Sequence, residues 1–348
     1  MIVGRHHHSH KPKNKHSGNN YKEKDNMVYG PKDSSALSSS QDTSSDPTKE
    51  LAEMKKKMEA SHTGPTSSTA TLEKSGKTVE IGTFNLEWLG DNKEKPRTDE
   101  DYKKLAQVIK DTGAEVLGVE EIGNEKGLKK LMENLPGFDY VLGTTGVRPN
   151  GKKQLLGVIY NKERAQVVPG SLRELKEAQV PHLMGDNHLR APLVVDMKAD
   201  NFDFTLVVVH FKARMDEHTK KIRNEQARIV NEWIKKQVAT SPEKDIIVVG
   251  DCNDFVNSTS MKTLSDGILQ LTTEEAAAKG EFSFISFKSL IDQIGVTMVN
   301  INGGAIGGAV EKYIKGTTHV VDTKKYPGYR KWGSDHNPVI ASFKSDKP

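Results

Sequence analysis

Apolar and polar positions alternate from Val79 to Glu87 as in a strand packed on a core by one face. Thr98-Asp99-Glu100 then makes a helix N-terminus ahead of Leu105, Val108 and Ile109 at helical spacing, and Gly113 stops that helix. Ala114 to Ile122 reads as a second buried strand, so the pattern opens β-α-β. Gly127 to Leu135 predicts another helix, followed by strands around Tyr140 to Leu142, Leu155 to Tyr160, Leu193 to Met197 and Phe204 to Phe211. From Asp216 to Val238 the recurrence of Ile222, Ala227, Ile229, Val230, Trp233 and Ile234 predicts one long amphipathic helix. Asp245 to Gly250 is an almost wholly apolar strand, and Phe282 to Phe287, Leu290 to Val296 and Val339 to Phe343 add three more. Such a mixed succession predicts sheets covered by helices, while periodicity alone does not say how the sheets pack.

Residues 1–77 carry no sustained apolar period and are rich in Ser, Thr, Lys, His, Asn and Gly, so they are expected to form a disordered low-complexity tail. They account for much of the low mean hydropathy of −0.63. Residues 78–348 form the folded domain. Within the tail, Leu51, Met54 and Met58 beside Lys55, Lys56 and Lys57 make a stripe too narrow to hold a helix alone. His6, His7, His8, His10 and His16 have no spacing that fixes a metal geometry.

No window reaches membrane-span length, and the N-terminus lacks a secretory apolar stretch, so the expectation is a cytoplasmic protein by default, secreted if a leader is missing. The single cysteine, Cys252, excludes an internal disulfide and reads as a small core residue, because neighbouring carboxylates suppress a thiolate. The net charge of +4 does not by itself mark a nucleic-acid binder. Clusters matter more: Arg148, Lys152 and Lys153; Lys212, Arg214, Lys220, Lys221 and Arg223; and Lys324, Lys325, Arg330 and Lys331 with Tyr326, Tyr329 and Trp332 interleaved. Cations and planar rings in such segments suit a polyanion gripped by its backbone, although ordinary solvated loops have the same composition.

Several apolar runs close on short polar clusters: Phe84-Asn85-Leu86-Glu87, Val119-Glu120-Glu121, Val209-His210-Phe211-Lys212, Gly250-Asp251-Cys252-Asn253-Asp254, Leu290-Ile291-Asp292 and Ser334-Asp335-His336-Asn337. Polar side chains at the ends of adjacent buried strands would converge on one cleft, and carboxylates, amides and imidazoles together are the composition of a divalent-metal phosphoesterase site. In order and wording these clusters resemble the endonuclease/exonuclease/phosphatase superfamily over about residues 79–344, with Phe282-Ser283-Phe284 and Leu290-Ile291-Asp292-Gln293-Ile294 most similar to its bacterial nucleases. The resemblance implies a DNase I-like fold, a four-layer α/β/β/α sandwich, preceded here by the disordered segment.

It also implies roles. Glu121 matches the metal-binding glutamate and Asp335 the aspartate that completes or borders the metal site; Glu87, two residues beyond Asn85 and so on the same strand face, is a further candidate ligand, direct or through water. Magnesium is the expected ion, with manganese or calcium as alternatives. His336 is the general acid/base and Asp292 its partner carboxylate. Asp251 orients water or the leaving group, Asn253 and Asn85 donate amide hydrogens to phosphoryl oxygen, and Arg190 in Leu-Arg-Ala-Pro contacts substrate phosphate. His210 matches a second, phosphate-directed histidine, but the glutamate that pairs with it in DNase I relatives is replaced by Lys152, Lys153 and Gln154. Glu120 stands where the family has Gln, and either alters metal affinity or faces outward. The expected protein is a monomeric, metal-dependent nuclease acting on DNA, or RNA. The alternatives are an inositol or lipid phosphatase of the same fold, or a nucleic-acid-binding protein that has lost catalysis.

Overall fold

Thr78–Leu89 (β1), Val116–Ile122 (β2), Phe138–Leu142 (β3), Leu155–Asn161 (β4), His319–Val320 (β14) and Val339–Lys344 (β15) make one six-stranded sheet in the order β14-β15-β1-β2-β4-β3. The structure is a computed structural model and describes residues 77–301 and 305–345. The expected tail, with its candidate helix and histidines, lies outside the described residues. A second sheet runs β10-β11-β9-β8-β7-β5, from Leu269–Leu271 (β10), Asp292–Thr297 (β11), Ile246–Asp251 (β9), Phe202–His210 (β8), Leu193–Ala199 (β7) and Ala165–Val167 (β5), with Arg173–Glu174 (β6) paired to β7. Val299–Ile301 (β12) and Ala305–Gly307 (β13) form a separate ribbon.

The anticipated β-α-β opening is present. β1 and β2 are parallel, joined by α1 (Asp99–Thr112), which begins in a capping box between Thr98 and Asp101 and ends at Gly113 in the left-handed conformation. Glu125–Glu133 (α2) follows on the same face, and Glu217–Thr240 (α4) and Thr259–Ser265 (α5) cover the second sheet. Four-residue helices at Pro181–Met184 (α3) and Tyr329–Trp332 (α7) and a five-residue one at Glu274–Ala278 (α6) complete the α-helices of the described residues. No helix of the described residues is long and apolar enough to cross a membrane.

Strand alternation divides the core into three layers. Val79, Ile81, Val116, Val158, Phe204, Leu206, Val208, Ile247, Val249, Ile294 and Val296 lie between the sheets, Phe84, Leu117 and Val119 pack outward under α1, and Val207, Val209 and Val248 pack under α4. The result is the four-layer α/β/β/α sandwich. One expected strand is absent: Phe282 to Phe287 is a turn in which Phe284 bridges both Ser289 and His336. Its Phe-Ser-Phe alternation reflects packing onto that histidine, with ring centroids 5.0 Å apart, rather than onto a sheet.

Candidate active site

The inward face of each sheet turns polar where its strands end. On β8 the inward positions run Phe204, Leu206, Val208 and then His210; on β9, Ile247, Val249 and then Asp251; on β11, Val296 and Ile294 lead back to Asp292. Asp251 is in register with both His210 and Asp292, so the three side chains stand on one rung of the second sheet. Opposite them Asn85 and Glu120, in register between β1 and β2, form the facing rung. Parity alone therefore brings five of these polar residues to one place, all of them buried.

The two rungs touch. The Asn85 amide Nδ2 donates to Asp251 Oδ2 at 3.0 Å and to Glu121 Oε2 at 2.6 Å, and Glu120 Oε1 accepts from the Asp251 amide at 3.0 Å. Glu120 also accepts from Thr83 Oγ1 at 2.9 Å. Of the two options open for Glu120, facing outward is excluded: it sits between the sheets, and burial, reinforced by Asp292 and Asp251, raises its pKa well above the carboxylate range. A protonated Glu120 matches in shape the Gln found there in the family.

Glu121 does not follow parity. Its φ of +58° and a register irregularity between Val119 and Ile122 turn the side chain into the pocket, where burial and then Asp335 push its pKa up to about 8. Asn253, at φ +51°, is also left-handed; its amide N donates to Asp251 Oδ1 at 3.0 Å and its Nδ2 to Phe211 O at 2.9 Å. Gly250, just before Asp251, has φ +148°, and a Cβ there would lie 1.9 Å from Val209 O, so only glycine lets β9 pass β8 so closely.

His336 Nδ1 lies 2.7 Å from Asp292 Oδ2, while its Nε2 lies 3.6 Å from Asp251 Oδ2 and 3.8 Å from Asp335 Oδ1. Burial lowers the pKa of this ring, but Asp292, Asp251 and Asp335 outweigh it and hold the pKa well above the ordinary value. Ser334 Oγ donates to Asn85 O at 2.5 Å and accepts from the His336 amide at 3.1 Å, tying this loop to β1. His210 Nε2 lies 3.5 Å from the same Asp251 oxygen, and its buried Nδ1 has no hydrogen-bond partner among the described residues. Burial, then Arg190 and His336, push its pKa well below the ordinary value, so it is neutral. Arg190 is buried behind it, Nη1 donating to Gln154 Oε1 at 3.2 Å and Nη2 to Phe211 O at 3.1 Å.

Glu87 shares the inward parity of Asn85, but left-handed backbone at Glu87 and Trp88 (φ +47° and +55°) breaks the alternation; its carboxylate meets Lys95, Arg97 and Arg330, while burial and then Asp335 raise its pKa. Tyr329 and Trp332 offer no stacking surface, since both are buried under α1. Arg223, on α4, is structural: it is buried, donates to Asp254 Oδ2 at 2.9 Å, Lys212 O at 2.9 Å and Arg214 O at 2.7 Å, and so clamps the loops that follow His210 and Asp251. Sequence reasoning also missed the Lys95 and Arg97 cage, which no motif marks, and the packing of Phe284 on His336. Cys252 is buried and its thiol pKa is raised well above the usual value by burial and Asp251, as expected of a core residue.

The donors fit a hard dication. Ligand atoms of Glu121, His210 and Asp251 lie within 4.8 Å of one another, as do those of Asp251, Asp292 and His336, and Asp335 borders both groups. Asp292 Oδ1 and His336 Nε2 are buried without hydrogen-bond partners among the described residues. Carboxylates this crowded repel one another, and a cation relieves that repulsion.

The family model for the Endonuclease/Exonuclease/phosphatase family matches residues 83–296. No curated protein matches the chain. Among solved structures, D. rerio TDP2 humanized by 14 mutations is similar at 14% identity and a TM-score of 0.56, covering 77% of this chain and 99% of that one. D. rerio TDP2 complexed with a single-strand DNA product aligns at 14% identity, TM-score 0.52, with coverage of 77% and 99%. A mannosyl-6-phosphatase of Bacteroides thetaiotaomicron aligns at 21% identity, TM-score 0.52, with coverage of 76% and 99%. At these identities the structural likeness speaks for the fold; together with the family match, it establishes that the chain belongs to the endonuclease/exonuclease/phosphatase family, whose members are hydrolases of phosphoester bonds.

Proposed function

We propose that this chain is a divalent-metal-dependent nuclease that hydrolyses phosphodiester bonds of DNA, acting as a monomer by in-line attack of an activated water. The observation that carries the reading is the His336–Asp292 pair at 2.7 Å, with Nε2 of the same ring facing a pocket of acids. Asp292 fixes the ring orientation and stabilises the imidazolium, and a dication held among the acids would offset the negative charge that keeps the ring protonated, leaving Nε2 able to take a proton from water. Asp251, held by Asn85 and the Asn253 amide, is placed to orient that water or the leaving oxygen. Neutral His210 donates a hydrogen to a non-bridging phosphoryl oxygen and Arg190 backs that side with positive charge, while Asn85, with its amide hydrogens on Glu121 Oε2 and Asp251 Oδ2, aligns those two carboxylates. Glu121 and Asp335, with Asp251, would hold the dication; magnesium suits their oxygen donors and supplies charge neutralisation at the phosphoryl group. Glu87, paired with Lys95 and Arg330 yet close enough to Asp335 to feel its charge, would assist the dication through water.

TDP2, of similar fold, has been captured with a single-strand DNA product, which favours a nucleic-acid substrate; the mannosyl-6-phosphatase neighbour makes phosphomonoester hydrolysis the second reading. Incubation with plasmid, single-stranded DNA, RNA, mannose 6-phosphate, sphingomyelin and phosphoinositides, with magnesium and with EDTA, separates them. Nicking of plasmid that EDTA abolishes is the expected result. Release of phosphate from monoesters alone, or cleavage that survives the chelator, defeats the proposal.

A further inference from the structure

Trp88 follows Asn85 by three residues and is turned out of the strand alternation by the consecutive left-handed residues Glu87 and Trp88. Two cations lie over its indole ring: Arg148 Cζ at 5.2 Å and Lys152 Nζ at 5.3 Å from the centroid. Both come from one hairpin, closed by the Val147–Lys153 bridge, by the Arg148 amide donating to Lys152 O at 2.8 Å, and by the Gly151 amide donating to Arg148 O at 2.9 Å. The root of the hairpin rests on Arg190. Gly146 sits there at φ +89°, where a Cβ would come within 2.8 Å of Arg190 Cγ and 2.5 Å of Gln154 O. The hairpin is thus seated on the arginine that backs His210, and the charge of Arg148 also acts on that histidine. Trp88, Arg148 and Lys152 take no part in the chemistry derived above.

Two positive groups over one ring repel each other, and the negative face of the indole offsets part of that repulsion. What the ring preorganises is a planar fork beside a point charge, a combination that suits a phosphate oxyanion. We propose that Trp88, Arg148 and Lys152 form a second anion subsite that receives a non-scissile phosphate of a polynucleotide while the neighbouring diester is cleaved. This rests on the nuclease reading and deepens it: a lone phosphomonoester has nothing to place there.

The test compares a short single-stranded oligonucleotide with bis(p-nitrophenyl) phosphate, a diester without neighbouring phosphates, using the magnesium-loaded full chain. The Arg148→Gln/Lys152→Gln double variant should lower kcat/KM on the oligonucleotide by about tenfold more than on the small diester, through KM. It should also flatten the dependence of log KM on log salt by about 0.7 for each single-strand phosphate that the variant no longer neutralises. Trp88→Leu should act in the same direction with a smaller effect. Equal losses on both substrates, or an unchanged salt slope, would overturn the subsite and leave the nuclease reading standing. A parent enzyme that hydrolyses the small diester but no oligonucleotide would sink both.

Discussion

His336 and His210 are both buried and both approach the same Asp251 oxygen, at 3.6 and 3.5 Å, yet their surroundings drive them to opposite protonation states. Burial opposes charge on each ring. On one side of the pocket Asp292, Asp251 and Asp335 overcome it; on the other, Arg190, His336, Arg148 and Lys212 add to it. Residue type is the same and both rings are buried, so the neighbours decide which imidazole holds a proton and which remains a neutral donor. Titratable groups pushed apart in this way divide the labour of proton transfer and charge stabilisation.

The comparison breaks most directly at its proton-bearing side. His336→Ala should reduce magnesium-dependent cleavage by about a hundredfold or more, the usual contribution of a general acid/base, in single-turnover assays on plasmid. His210→Gln keeps a neutral donor of similar reach and should cost about tenfold. Comparable losses from the two would mean that the rings share one role and that the asymmetry has no catalytic meaning.

A smaller change sharpens the same contrast. Asp292→Asn retains the volume at 2.7 Å from His336 Nδ1 but removes the leading charge that holds the ring protonated. Cleavage should fall by about tenfold to a hundredfold, and the pH at which activity is half-maximal on the acid limb should move down, because the ring surrenders its proton more readily. In His210→Gln that limb should stay where it is. A fall in rate with no movement of the limb would make Asp292 a packing residue rather than the partner of the base.

Much of the arrangement follows from period-two patterning. Asn85, Glu120, His210, Asp251 and Asp292 each continue an inward-facing apolar series, so a reader who extends the alternation one step past the core reaches the pocket. The helices α1 and α4 were legible from their own spacing and caps, but the packing of the two sheets was not, and only the family resemblance supplied it. Where the backbone leaves the regular strand, the pattern is silent. Glu121 enters the pocket and Glu87 turns toward Lys95 and Arg330 through left-handed residues that ordinary side chains rarely adopt, and no local composition announces them. Phe282 to Phe287 shows the converse: an alternation of strand type arose because one aromatic residue had to pack on His336 while Ser283 Oγ accepted hydrogens from the amides of Ile291 and Asp292. Long-range charge was legible only as inventory. Arg223, Arg190 and Arg148 are all basic in sequence, but one clamps loops, one backs a histidine and one lies over an indole.

The acidic side also predicts how a dication and pH act together, with an effect of only a few degrees in Tm. The Glu121 pKa rises from 4.5 to about 8 and that of Asp251 from 3.8 to about 7, so between the ordinary and raised values the folded, metal-free chain binds more protons than the unfolded one. Its stability therefore falls as pH rises through that window. His336 acts in the same direction: its raised pKa contributes stability fully below the ordinary histidine value, lost as pH climbs through the folded value. A cation replaces these protons, so the rise in Tm on adding magnesium should be small near about pH 5 and grow toward about pH 8, where the acids are losing their protons. Glu121→Gln should raise the Tm of the EDTA-treated protein near about pH 8 while shrinking the magnesium increment, because it removes a repelling charge and a ligand together. His210→Gln should leave the pH trend of the increment intact, since the protons being displaced belong to the carboxylates. A magnesium increment that is constant from about pH 5 to about pH 8 would place the cation away from these acids, and the division of the pocket into a proton-holding and a neutral side would then owe nothing to metal binding.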